Sequence, residues 1–308
     1  MTMTLFRPDR IRVAAVASAV ALLWLMPAAH AQQTFNSADD AAAALVSAVK
    51  SGITQDILKV LGPDGEDIIN SGDDTWDKAA REKFVAAYDA KHTVKVEGKR
   101  ATLVIGADDF QFPVPLYRAK TGWEFDTERG RQEILYRRIG RNELDTIQTC
   151  LAFVDAENEF ADKDRGDGAG VYAQRIVSSP GKTDGLYWPS DKNDSPLGEL
   201  AAKASAQGYK AGSEPQPYHG YYFRILDQQG ASAPGGAMSY LVKGKMIGGF
   251  ALVAWPADYA NSGVVTFIVS HAGAVYEKDL GPDTEAIVKT MTSFDPDRSW
   301  RKIETPSE

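Results

Sequence analysis

The period of the apolar residues changes three times along this chain, from helical to alternating, back to helical, and to strand-rich again. That succession limits the fold more than any other feature. Between residues 35 and 90 the spacing is helical. Asn36 or Ser37 is placed to cap a helix with Asp39 and Asp40 in its first turn and Ala42, Leu45, Val46 and Val49 on one face. Gly52 closes it, and a short helix over 53–61 turns Ile57, Leu58 and Leu61 inward. A third helix is expected over 77–88, burying Ala80, Phe84 and Ala87. From Thr93 the alternation is strand-like: 93–97 and 100–105 flank a Glu97-Gly98-Lys99 turn. A strand over 110–117 carries Pro113 and Pro115, which predict a sheet edge, and 122–125 pairs back onto it.

The helical period then returns. With Asn142 as cap, Leu144, Ile147, Leu151, Val154, Asn158 and Ala161 form a narrow stripe on an otherwise polar helix. Short extended stretches over 171–176 and 186–188 and a short helix over 197–203 follow. Strands are expected over 221–226, 249–255, 264–269 and 274–277, with turns at Gly244-Lys245 and His271-Ala272-Gly273, and a last helical turn over 287–291. The fold class is α+β: N-terminal helices with a small antiparallel sheet, then a long helix on a second antiparallel sheet. The expected division is a cleaved segment over 1–31, an α+β module over 32–139 and a helix-plus-sheet module over 140–304.

The first 31 residues have the layout of a secretory signal. Arg7, Arg10 and Arg12 precede the apolar run Val13–Met26, and Pro27 leads to Ala29-His30-Ala31. The run falls short of the ~20 residues that cross a bilayer, so cleavage after Ala31 and a periplasmic or secreted product are expected. No later run is long enough to span a membrane. Those three arginines with Asp9 carry a net +2, so cleavage takes the formal charge from −8 to −10. An acidic surface is a poor match for the phosphate backbone, which excludes nucleic acid as the expected partner. With 44% hydrophobic and 25% charged residues the chain is globular rather than disordered. Its single cysteine, Cys150, cannot close a disulfide within the chain, and it reads as a small core residue of the long helix.

Several segments carry a family resemblance. They are Arg138-Ile-Gly-Arg-Asn-Glu-Leu-Asp145, the stretch 251–259 reading Ala-Leu-Val-Ala-Trp-Pro-Ala-Asp-Tyr, and Phe294-Asp-Pro-Asp-Arg-Ser-Trp300. Leu61-Gly-Pro-Asp-Gly65 and Trp123-Glu-Phe-Asp126 fit as well. Over nearly the whole chain after residue 31, they resemble the exported bacterial family catalogued as domain of unknown function 2950. That resemblance implies location and architecture but no reaction. The second half is also distantly similar to the globular heads of pilins and pseudopilins. The matching pieces are Gly220-Tyr221-Tyr222-Phe223, Ala254-Trp255-Pro256 and Thr266-Phe267-Ile268-Val269. The chain lacks their Gly-Phe processing site, and a whole module separates the signal from the long helix.

Catalytic motifs are sparse. Pro180-Gly181-Lys182-Thr183 has Ile176 where a phosphate loop needs glycine. His92, His219 and His271 lie at no metal-binding spacing, and no Gly-x-Ser-x-Gly elbow is present. Asp162, Asp164 and Asp167 gather oxygen ligands in a Gly-rich turn, and calcium is the ion such a set would take; Asp191, Asn193 and Asp194 form a second oxygen cluster. Tyr187, Trp188, Tyr218 and Tyr221 are the candidate binding aromatics. The expected function is therefore binding or assembly in the cell envelope, with an envelope protein or polymer as partner. The rivals are a periplasmic hydrolase working in a cleft between the modules and an accessory component of a pilus or secretion system.

Overall fold

The computed structural model describes residues 32–190, 194–209 and 216–304. The expected signal and Asp191 and Asn193 of the second oxygen cluster lie outside those residues. The first half opens with α1 (Ala38–Ser51), capped by Ser37, whose hydroxyl accepts from the Asp40 N–H at 3.0 Å. Next come α2 (Thr54–Leu61), a 3-10 turn at Pro63–Gly65, α3 (Glu66–Ile69) and α4 (Asp74–Ala90). In α2, Ile57, Val60 and Leu61 are buried. Phe84 and Ala87 of α4 pack inward, but Ala80 faces solvent and Asp77 is that helix's buried residue.

The first sheet holds β1 (His92–Glu97), β2 (Arg100–Ile105), β3 (Phe110–Gln111), β4 (Leu116–Arg118) and β5 (Trp123–Phe125) in the order β1-β2-β4-β5, with β3 also on β2. The expected strand over 110–117 is thus broken in two. Pro113 and Pro115 lie between the pieces and supply no N–H for a ladder, and β4 ends up inside the sheet rather than at its edge. Phe35, Leu45, Ile57, Leu61, Leu116 and Phe125 form this half's core.

The largest departure from expectation is α5, which runs from Thr127 to Ala161 behind an Asp126 cap. Asn142 is therefore in mid-helix and caps nothing, and the 139/140 division falls inside a continuous helix. The first turns of α5 lack an apolar stripe because they pack through small and polar residues. Gly130 is one: a Cβ there would lie 2.6 Å from Val114 Cα. Leu144 is 66% exposed rather than buried. Further along, Cys150, Phe153, Val154, Ala156 and Phe160 enter the second core, with Ile147 and Leu151 partly buried against it.

Beyond α5 lie α6 (Gly198–Ala206), β6 (Tyr221–Leu226), β7 (Gln228–Gln229), β8 (Met238–Ser239), β9 (Leu241–Val242), β10 (Lys245–Met246), β11 (Ala251–Pro256), β12 (Val265–Ser270), β13 (Val275–Asp279), α7 (Thr284–Thr290) and β14 (Arg301–Lys302). The main sheet has the order β14-β13-β12-β11-β6 and is antiparallel throughout. Helix α5 lies across β11, β12 and β13, and Arg224 on the other face reaches the carbonyls of Val288 and Met291 at the end of α7, both at 2.7 Å. The fold is α+β, as the periodicity predicts. Among the described residues no helix is long and apolar enough to cross a membrane.

Candidate functional site

Two features meet on α5. The first is a polar seam that joins the halves of the chain. The Arg138 guanidinium donates to the carbonyls of Asp67 and Ile68, both at 2.6 Å, and to Asn261 Oδ1. Asn261 in turn donates to Asn70 O at 2.9 Å and Asp258 Oδ2 at 2.8 Å. One helical turn on, Asn142 Nδ2 donates to Ser262 O at 2.9 Å. Glu143 Oε1 accepts from the N–H groups of Val264 (3.1 Å) and Val265 (3.3 Å). Positions 138 and 142 share a helix face, so one face of α5 reaches α3 and the 261–262 segment at once. Burial lowers the Arg138 pKa, which Asp77 and Asp67 oppose; burial likewise raises that of Glu143 against its two backbone donors. Beside the seam is a polar hollow of about 420 Å³ lined by Asp64, Glu66, Asp67, Arg131, Asp258 and Asn261. Asp67 there is already paired with Arg131, whose Nε lies at 2.6 Å.

A second polar group adjoins the first. His219 and Gly220, with φ of +50° and +72°, form the two-residue turn between Tyr218 and Tyr221, the backbone signature of a tight hairpin. Gly220 is required there, since a Cβ would lie 2.7 Å from Asn142 Nδ2. Buried Asp73 accepts from Tyr209 OH at 2.6 Å, Gly220 N–H at 3.2 Å and Trp76 N–H at 3.0 Å. His219 Nδ1 lies 3.2 Å from Asp145 Oδ2 but is not aligned for a hydrogen bond. Burial lowers the His219 pKa, with Asp145 and Asp73 pulling it back up. Burial and then the Asp73 hydrogen bond raise that of Tyr209. The Arg141 guanidinium covers the Trp76 ring at 4.4 Å.

The second feature is apolar. A groove of about 850 Å³ runs beside β6. Thr149 and Phe153 of α5 form one wall, and Leu197, Leu200 and Ala204 around α6 form another. Tyr187, Tyr218, Tyr222, Phe223 and Trp255 complete it. Arg224 also reaches the groove, but its guanidinium is committed to α7.

The four candidate aromatics separate. Tyr187 and Tyr218 line the groove. Trp188 is buried and donates Nε1–H to Asp194 at 3.2 Å. Tyr221 is fully buried, its hydroxyl bound to Val265 O at 3.0 Å. Asp162, Asp164 and Asp167 are not brought together. Asp164 accepts from the Gly166 and Gly168 N–H groups at 2.8 and 2.9 Å, and Asp167 pairs with Lys245 at 3.3 Å. Among the described residues no three His, Cys, Asp or Glu side chains are grouped to hold a metal. Cys150 is a buried free thiol whose pKa burial pushes up to about 12, so it is not poised as a nucleophile.

Fold and site define an α+β protein in which a hydrogen-bonded seam fixes the frame and an apolar groove stands open beside an edge strand. The chain belongs to the family described as protein of unknown function DUF2950, whose model matches residues 32–303. No curated protein and no solved structure matches it. The segment 138–145, which carries much of that resemblance, is the one that ties Asp67 and Ile68 to 261–265 and sets Asp145 against His219.

Proposed function

We propose that this chain is an exported cell-envelope protein that works by binding, and that the groove against β6 holds its ligand. The single observation that carries the reading is the groove itself. Its volume lies within the ~300–1,000 Å³ of small-ligand sites, and its walls are aromatic and aliphatic. Export is supported by the basic, apolar and Ala29-His30-Ala31 succession and by a family match that begins at the next residue. Binding is favoured over hydrolysis because the seam carboxylates are engaged: Asp67 by Arg131, Asp258 by Asn261 and Glu143 by two backbone donors. An accessory role in a pilus or secretion system draws its support from α5 lying across β11–β13, a layout similar to that of pilin heads.

The test is a titration of the purified protein with the apolar dye anilinonaphthalene sulfonate. Saturable binding of one dye, lost in Ala204→Trp at an unchanged Tm, is the expected result. Binding that does not saturate, or that Ala204→Trp leaves intact, overturns the groove as a ligand site.

A further inference from the structure

Strand β6 ends the main sheet, with β11 on one side only. Its ladder shows which way each backbone group points. Gly220 O accepts from Ala257 N–H at 2.9 Å, so the even-numbered residues of β6 turn their backbone groups toward β11. The odd-numbered ones turn away, because strand residues alternate in this respect as well. At one end of that free side, Tyr221 exchanges both of its hydrogen bonds with Tyr218, at 2.8 and 3.1 Å. At the other, Asp227 O is taken by Tyr240 N–H at 2.8 Å. Between them, the N–H and C=O of Phe223 and of Ile225 have no partner among the described residues. The free edge is therefore a gap with two closed ends.

The groove wraps this gap on both faces of the strand. Tyr222 and Trp255 stand opposite each other in the ladder, with ring centroids 5.7 Å apart, on one face. Phe223 and Leu252 line the groove from the other face, with Phe153 and Thr149 of α5. A compact apolar molecule would fill the volume and leave the four backbone groups of Phe223 and Ile225 with nothing but water. An extended polypeptide supplies donors and acceptors in the same alternation and sends its side chains to both faces in turn.

We propose that β6 takes an added strand: an extended segment of another protein, about three or four residues long at ~3.3 Å per residue, with apolar side chains, bonded to Phe223 and Ile225. This rests on the groove as the ligand site and names its occupant. The closed ends fix the register, and the apolar walls select the side chains.

The experiment displaces the dye with a pool of pentapeptides built from Val, Ile, Leu and Phe, alongside the same pool fully N-methylated. Methylation keeps the side chains and removes every backbone donor. The protein is compared with Ile225→Pro, which deletes an outward N–H that forms no ladder bond, a place where edge strands accept proline. Dye displacement by the first pool, weakened at least tenfold by methylation and by Ile225→Pro while dye affinity and Tm hold, is the expected result. Equal displacement by both pools, no displacement by either, or indifference to Ile225→Pro overturns the added strand while the groove stands. A dimer of the protein that Ile225→Pro dissociates overturns it too, since the occupant is then a second copy. Failure of the dye to bind saturably removes the groove and the strand together.

Discussion

The seam and the groove lie on one helix and differ in almost every physical respect. At Arg138, Asn142 and Glu143 the side chains of α5 are polar and engaged, and their bonds reach α3 on one side and the 261–265 segment on the other. One turn beyond, at 149–153, the same helix walls an apolar space beside unpaired strand groups. The seam spends its guanidinium, carboxamides and carboxylates on bonds that join α3 and 258–265 to α5. The groove leaves apolar surface and backbone groups uncovered, which is costly for a frame and useful for recognition. The contrast yields an ordering of effects: changes at the seam should cost stability, and changes at the groove should cost binding alone.

Arg138→Met tests the first half hardest. It leaves the half-buried carbonyls of Asp67 and Ile68 and the buried Asn261 amide oxygen without their donor. At ~1–3 kcal/mol for an orphaned acceptor out of water's reach and less for the two that water can approach, a loss of about 3 kcal/mol is expected in urea unfolding. Arg138→Lys should recover little of it, because its one ammonium nitrogen cannot stand where both Nη1 and Nη2 of the guanidinium now meet their acceptors. A loss under ~1 kcal/mol would mean that the loops hold together without the seam.

Glu157 sharpens the comparison from within α5. It is fully buried; Oε2 accepts from Ala173 N–H at 2.8 Å while Oε1 has no partner. Burial pushes its pKa up to about 8 from the ordinary 4.5, against the pull of that one hydrogen bond. The folded state thus holds a proton that the unfolded chain releases. The stabilisation is whole below about pH 4.5 and is lost as pH rises through about 8. Glu157→Gln keeps an acceptor for Ala173 and cannot ionise. Urea unfolding across this range should show the native protein losing a few kcal/mol, at ~1.4 kcal/mol per pH unit, relative to the variant. Parallel pH profiles would rule out a buried, protonated carboxyl.

Tyr209→Phe removes one of three donors from Asp73 and leaves Trp76 and Gly220 in place. About 1–2 kcal/mol is expected in the same assay, less than at Arg138 because Asp73 remains bonded.

Much of this frame was legible in the sequence. The switches of period placed β1, β2, β5, β6, β11, β12 and β13 but not β14, and Gly52 marked the end of α1, with Ser37 one of two candidates for its start. The start of α5 was not legible, because Gly130, Arg138 and Asn142 face inward where a stripe would need aliphatic residues. The seam was hidden for the same reason: Asp73, Asp77, Arg138 and Glu157 are residue types that belong in water until partners are known. One signal was available. Arg138 and Asn142 stand four apart on one helix face, inside a segment that carries the family resemblance. The groove was half visible, since Tyr187 and Tyr218 line it while Trp188 and Tyr221 went to the core. A pattern of aromatics does not tell a wall from a core; the position of the sheet edge does.

The smallest effect is expected at Asp145, where the seam meets the turn that leads into β6. Its carboxylate is 39% exposed and lies 3.2 Å from His219 Nδ1 without a formed hydrogen bond. An ion pair so open to water is worth at most ~1 kcal/mol, so Asp145→Asn should barely move the urea midpoint at pH 7. Its signature lies in the titration. Burial lowers the His219 pKa and Asp145 raises it again, so removing the charge should drive it lower still, read from the imidazole resonances by NMR. A lowered histidine pKa means the unfolded chain takes the proton first, so stability falls as pH drops below about 6.5, and more steeply in the variant. If dye binding to Asp145→Asn is unchanged at pH 7, the His219 turn belongs to the frame. If it is lost while the midpoint holds, the boundary between seam and groove moves to include His219.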